Sequence, residues 1–135
     1  MVAGGIKINA KGSLVEYMGL QFDAVSHGRV SAHIELRPHH MAPNGYLHGG
    51  TIVTLADTCC GYGAIASLPE SAESFTTIEL KTNFLGTARQ GIIYCEAELE
   101  HGGRTTQVWH AEVRSDAGKN VALFRCTQML LYPSR

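Results

Sequence analysis

Asn44-Gly-Tyr-Leu-His48-Gly-Gly-Thr-Ile-Val-Thr-Leu-Ala-Asp57-Thr-Cys-Cys-Gly-Tyr-Gly-Ala-Ile-Ala-Ser-Leu68 is the stretch that decides the fold. From Gly49 onward it predicts a long helix, with Pro43 and Gly45 in the loop before it and Pro69 where it should stop. A helix apolar on nearly every side is normally buried. Asp57 is the only Asp, Glu, Lys or Arg between Arg37 and Glu70. An ionisable group in such surroundings is costly unless it is paired, hydrogen-bonded or kept for chemistry.

On the N-terminal side, residues 9–18 carry Leu14, Val15 and Met18 at helical spacing and predict a short helix. Residues 20–24 and 30–36 read as strands around the turn Ser26-His27-Gly28, with Val30, Ala32, Ile34 and Leu36 alternating with polar residues. Beyond the long helix come four more strands. Ile78, Leu80, Thr82 and Phe84 alternate with Thr77, Glu79, Lys81 and Asn83. Ile93, Cys95, Ala97 and Leu99 form the next apolar face, and Gly102-Gly103 marks a hairpin. Gln107, Trp109, Ala111 and Val113 share a face, and Asp116-Ala-Gly118 is a turn. Residues 121–131 are almost continuously apolar, which predicts a central strand. Strands on both sides of one long helix argue for α+β: an antiparallel sheet of about six strands covering that helix, in one domain over residues 1–135. A helix this apolar needs more cover than one sheet face, so either the sheet curls round it or a second subunit packs on it.

Composition excludes several classes. Net charge is −1 over 135 residues, with no long block of like charge, so binding to nucleic acid or an anionic membrane is not expected. The N-terminus lacks the charged-then-apolar layout of a secretory leader. The most apolar run is short for a membrane span and contains Asp57, which would cost about 3 kcal/mol at mid-bilayer. A cytoplasmic protein is expected. Cys59, Cys60, Cys95 and Cys126 form no Cys-x-x-Cys pair and read as small apolar packing.

Gly50, Thr54, Asp57 and Gly61 lie four, three and four residues apart, on one helix face. Small residues there leave room for something to approach Asp57. A structural partner for Asp57 on a neighbouring strand fits the pattern equally well. Gly49 and Gly50 open the helix, where backbone N–H groups are unpaired and the macrodipole is positive. Glycines let a carbonyl or phosphate come close to those groups.

His48-Gly-Gly, then Leu55-Ala-Asp57-Thr and Gly61-Tyr-Gly63, then Thr77-Ile-Glu-Leu-Lys-Thr-Asn-Phe-Leu85, resembles the hotdog-fold acyl-CoA thioesterases of the phenylacetate-degradation (PaaI) type. The resemblance runs from about Val15 to Leu131. It implies a hotdog fold and hydrolysis of an acyl- or aryl-CoA to the free acid and CoA. It implies that Asp57 attacks the thioester or activates a water, and that the Gly49 N–H polarises the thioester oxygen. His48 would order the loop or help to bind the thioester, and Thr77 would position the water, acting on the Asp57 of a partner chain. Asn44, Gly50, Thr54 and Gly61 would line the substrate. The family often has Asn or Gln six residues before the His. Here that position is Ala42, and Asn44 is the nearest substitute. No metal or redox cofactor is implied, since CoA enters as part of the substrate. The expected assembly is a homodimer pairing into a homotetramer.

Other residues carry blander readings. His39 and His40 lack a third ligand at metal spacing and read as solvated or loop-ordering. Gly61-Tyr-Gly63 imitates a dinucleotide fingerprint but sits mid-helix. Lys81, Arg89 and Arg104 are candidate contacts for CoA phosphates. Two other functions stay open: a hotdog dehydratase or hydratase acting on acyl thioesters, and a non-catalytic acyl-CoA binding module.

Overall fold

The computed structural model of the chain describes residues 2–3 and 6–134. Two short strands, β1 (Val2–Ala3) and β2 (Ile6–Lys7), pair antiparallel; the sequence reading lacked them. Helix α1 spans Leu14–Met18, shorter than the expected 9–18. Gly12 takes a left-handed φ of 77°, and Ser13 accepts the Glu16 N–H as N-cap, so the helix starts only there. Gly19, at φ 75°, ends it. Strands β3 (Leu20–Ser26) and β4 (Arg29–Glu35) follow, then a 3-10 turn at Pro38–His40 and helix α2 (Gly49–Ala66). Strands β5 (Ser74–Phe84), β6 (Ile92–Gly102), β7 (Thr106–Ser115) and β8 (Asn120–Leu131) complete the chain.

The large sheet runs β3-β4-β6-β7-β8-β5, with every neighbouring pair antiparallel. It lies against α2, which touches all six strands. Thr51, Ile52, Leu55, Ala56, Cys59, Cys60, Gly63 and Ala64 form the buried stripe of α2, at the spacing of one helix face. Trp109, fully buried on β7, packs its six-membered ring against Gly63. Its Nε1–H donates to Gln107 Oε1 at 2.8 Å, and Gln107 Nε2 donates to the Ser67 carbonyl at 2.9 Å, which fastens the helix C-terminus. The four cysteines are free and buried, as packing groups should be.

Two sequence expectations need correction. Strand β8 is interior but second from the edge, between β7 and β5. Its apolar run does not mean burial on both faces: Ala122, Phe124, Cys126, Gln128 and Leu130 are buried, while Leu123, Met129 and Leu131 are exposed. The alternation in β5 also breaks. A bulge lies between Thr77 and Glu79 against β8, so Ile78 is the extra residue. Phe75, Thr77, Leu80, Thr82 and Phe84 therefore pair with the inward residues Leu130, Gln128, Cys126, Phe124 and Ala122. Thr77 thus turns to the helix side together with Leu80, not opposite it.

Candidate active site

The N-terminus of α2 is set by a latch of histidines. His40 is buried, with Nδ1 accepting the Arg37 N–H at 2.8 Å and Nε2 held 2.7 Å from the Met18 carbonyl. This is the neutral Nε2–H form, and burial lowers its pKa below the ordinary 6.5. The His40 carbonyl accepts the His48 N–H at 3.1 Å and the Thr51 hydroxyl at 2.8 Å. His48 is the N-cap, its Nδ1 accepting the Gly50 N–H at 2.7 Å. Gly50 therefore has no free donor. Gly49, the first helical residue, has no partner for its N–H within the helix. The Phe84 ring lies against it: a Cβ at Gly49 would sit 3.0 Å from Phe84 Cζ.

Asp57 lies further along α2, in a cavity of about 260 Å³ lined by Asp57, Thr58, Gly61, Tyr62, Ile65, Phe75 and Thr77. Asp57 Oδ1 is buried and has no hydrogen-bond partner among the described residues. Desolvation raises its pKa above the ordinary carboxylate value. The Thr77 hydroxyl donates to Gln128 Oε1 at 2.6 Å, and Gln128 is fully buried. Phe75 closes one wall by packing on Gly61, where a Cβ would sit 3.2 Å from its Cζ.

The structure thus brings Asp57, Gly61 and Thr77 of one chain around one cavity. It leaves His48, Gly49 and Gly50 at the helix start. Eight residues of helix separate Gly49 from Asp57, about 12 Å at 1.5 Å per residue. Thr54 is back-bonded, its hydroxyl donating to the Gly50 carbonyl at 2.8 Å. Asn44 does not line the cavity; its Oδ1 accepts the Tyr46 N–H at 3.1 Å inside its own exposed loop. Of the basic candidates, Arg89 stacks 4.7 Å over the Tyr46 ring by the helix start. Lys81 lies on the other face of the sheet beside Arg125, and Arg104 in a separate depression with Glu70 and Tyr132. That depression is larger, about 640 Å³, but among the described residues its only carboxylate is the exposed Glu70.

The family model of the thioesterase superfamily matches residues 44–122, which hold the helix, the cavity and strands β5 to β7. The chain belongs to the thioesterase superfamily. It is a thioester hydrolase with the hotdog fold of that superfamily. A 1,4-dihydroxy-2-naphthoyl-CoA hydrolase of Listeria monocytogenes is 32% identical over 114 residues, covering 84% of this chain and 92% of that protein. A mutant thioesterase of Pseudomonas aeruginosa superposes with a TM-score of 0.86 at 28% identity, over 92% of this chain and 89% of that one. A mutant of the phenylacetic acid degradation protein PaaI of Thermus thermophilus superposes with a TM-score of 0.79 at 25% identity, over 87% of this chain and 97% of that one. Among the described residues, no helix of this thioesterase is long and apolar enough to cross a membrane.

Sequence reasoning missed Gln128, and Phe75 and Phe84 as the rings on the glycines; its loop-ordering role for His40 holds, in a side chain that is buried and not solvated. Gln128 could have been found as a lone amide in an apolar strand, in phase with Cys126 and Leu130.

Proposed function

We propose that this chain hydrolyses the thioester of an acyl- or aryl-CoA, with Asp57 as general base. The supporting observation is a carboxylate that lines a cavity shared with a hydroxyl, with one oxygen buried and unpartnered among the described residues. A water donates one proton to Asp57 and attacks the thioester carbonyl carbon. The oxyanion is held by the Gly49 N–H. Collapse breaks the C–S bond, and the leaving CoA sulfur takes the proton from Asp57, giving acid and CoA. CoA is consumed as substrate, and the reaction needs no resident metal or redox group. Tyr62, Ile65 and Phe75 in the cavity wall suit a flat aromatic acyl group, the kind handled by the naphthoyl-CoA hydrolase of Listeria.

Gly49 and Asp57 of one chain cannot serve the same carbonyl across about 12 Å, since a reacting group needs donors within about 3 Å. The reading therefore pairs Asp57 with the Gly49 of a second copy. Edge strand β5 supports this: Leu80 and Phe84, on its helix side, are 43% and 54% exposed. Uncovered apolar surface at a sheet edge marks an interface. A two-fold dimer gives two equivalent sites, and dimers pair into a tetramer. Asn44, Gly50, Thr54 and His48 then shape the mouth where pantetheine enters, in a cytoplasmic enzyme. A hydratase would need a basic imidazole. His48 Nδ1 already accepts the Gly50 N–H, so in the neutral ring Nε2 carries the proton.

Thiol release measured over straight-chain, phenylacetyl and naphthoyl CoA thioesters tests the reading. Turnover that collapses in Asp57→Asn is expected. Release from none of them, or full turnover by Asp57→Asn, would overturn it.

A further inference from the structure

Gln128 takes no part in the steps above, yet it is fully buried opposite Thr77 and holds that residue's only hydroxyl proton. A hydroxyl has one donor and two acceptor sites. With the proton committed to Gln128 Oε1, Thr77 Oγ1 offers only lone pairs to the cavity. Asp57 lines the same cavity, and its Oδ1 is buried without a partner among the described residues. These two facts belong together. A free Thr77 proton would seek the carboxylate, pair it and lower its basicity. Gln128 is in turn fixed, with Nε2 3.5 Å from Cys126 Sγ, and it sits beside Gln107 of β7 in the sheet register.

Resting on the general-base reading of Asp57, we infer that Gln128 is a positioning residue for the hydrolytic water. By taking the Thr77 proton it leaves two acceptors, Asp57 and Thr77, in the lining of one cavity. A water between them donates one hydrogen bond to each, so its lone pair points away from both, towards the thioester carbon, and on attack only Asp57 takes the proton. Gln128 touches neither water nor substrate and acts through Thr77.

The other titratable groups near Asp57 are the Tyr62 phenol in the cavity wall and the buried Cys60 and Cys126 thiols. A hydrogen bond with Cys126, together with burial, pushes the Cys60 thiol well up, so it stays neutral. Glu79 and Lys81 of β5 pair with outward residues of β8 and do not face Asp57.

The test is a pH profile of kcat and KM for the full-length protein. Gln128→Met keeps length and burial but removes the acceptor. It frees the Thr77 proton for Asp57, so the acid limb should move to lower pH and kcat should fall about tenfold or more with little change in KM. Thr77→Val removes the donor, so it should lower kcat without moving the acid limb down. In the double variant the downward move should vanish and the second substitution should cost no further rate. Gln128→Glu keeps an acceptor for Thr77 and adds a charge, so its acid limb should move up while the plateau rate survives; this arm stands if Gln128→Met does not fold. A Gln128→Met enzyme with the parent kcat and acid limb, a double variant that still shows the downward move, or a lost plateau in Gln128→Glu would overturn the inference. If Asp57→Asn is inactive in the same series, only the Gln128 inference falls. If Asp57→Asn is fully active, the general-base reading itself falls.

Discussion

Gly63→Ala sets two effects of opposite sign against each other. Replacing an interior helical glycine by alanine ordinarily stabilises by about 1 kcal/mol. Here the new Cβ would lie 2.4, 2.7 and 2.9 Å from Cη2, Cζ3 and Cζ2 of Trp109. Ordinary carbon contacts are about 3.5–4.0 Å, so helix and ring must separate by about an ångström. The ring is fully buried, and Nε1 ties it to Gln107, which holds the Ser67 carbonyl. Overpacking costs about 1–3 kcal/mol. Disrupting the buried amide bonds adds about 1–3 kcal/mol. The expected net is a loss of about 1–5 kcal/mol. In a chain of this size that lowers Tm by roughly 4–18 °C. Two-state thermal melts of parent and variant, followed by far-ultraviolet circular dichroism, read it directly. Because α2 carries Asp57, turnover at 25 °C should fall as well. A Gly63→Ala protein that melts at or above the parent would show that propensity wins and that the Trp109 contact does not hold the helix.

Asp57→Asn should cut kcat by on the order of 10² or more. In the parent, activity should rise with pH through an apparent pKa above the usual carboxylate value, because the ionised form is the base and burial raises its pKa. That raised pKa means the folded state holds the proton longer than the unfolded state, so stability falls as pH rises from the ordinary to the raised value. Asp57→Asn should therefore flatten that slope in thermal melts, and an unchanged slope would refute the assignment. For His40 the sign reverses. Its folded pKa lies below 6.5, so the unfolded state binds protons first and stability should fall as pH drops below about 6.5. Melts from pH 7.5 to 5 should show that fall, and His40→Gln should reduce it. Leu80→Glu on the open edge strand should shift sedimentation towards monomer at micromolar protein and lose activity in parallel. A fully active monomer would refute the shared site.

Helix α2 was legible because its buried stripe and its start are written in residue types: Ile52, Leu55, Cys59 and Gly63 on one side, His48-Gly-Gly at the head. The strands were legible by alternation, down to the Asp116-Ala-Gly118 turn. The bulge at Ile78 was not, because alternation cannot register one extra residue, and that residue decides which way Thr77 faces. The exposed half of β8 was hidden too. Leu123, Met129 and Leu131 are as apolar as their buried neighbours, so hydropathy could not tell the faces apart. At the site, Asp57 stood out by isolation. Short local bonds such as Asn44 Oδ1 to the Tyr46 N–H and His48 Nδ1 to the Gly50 N–H leave no mark in composition, so the sequence did not show that these atoms are already engaged. Gly63 looked like part of a nucleotide fingerprint and is instead the seat of an indole.

The two walls of the cleft are mounted differently. Helix α2 is clamped at its head by His40 and at its tail by Gln107, so Asp57 has little freedom to drift. The facing wall is β5, an edge strand bonded on one side only, and it brings both aromatic rings, Phe75 against Gly61 and Phe84 against Gly49. The base therefore sits on the clamped wall and the aromatic rings on the open one, which carries Thr77 as well. Exchanging residues 75 and 84 can remodel the acyl pocket and its approach while the carboxylate keeps its setting, which gives this architecture a cheap route to new substrates.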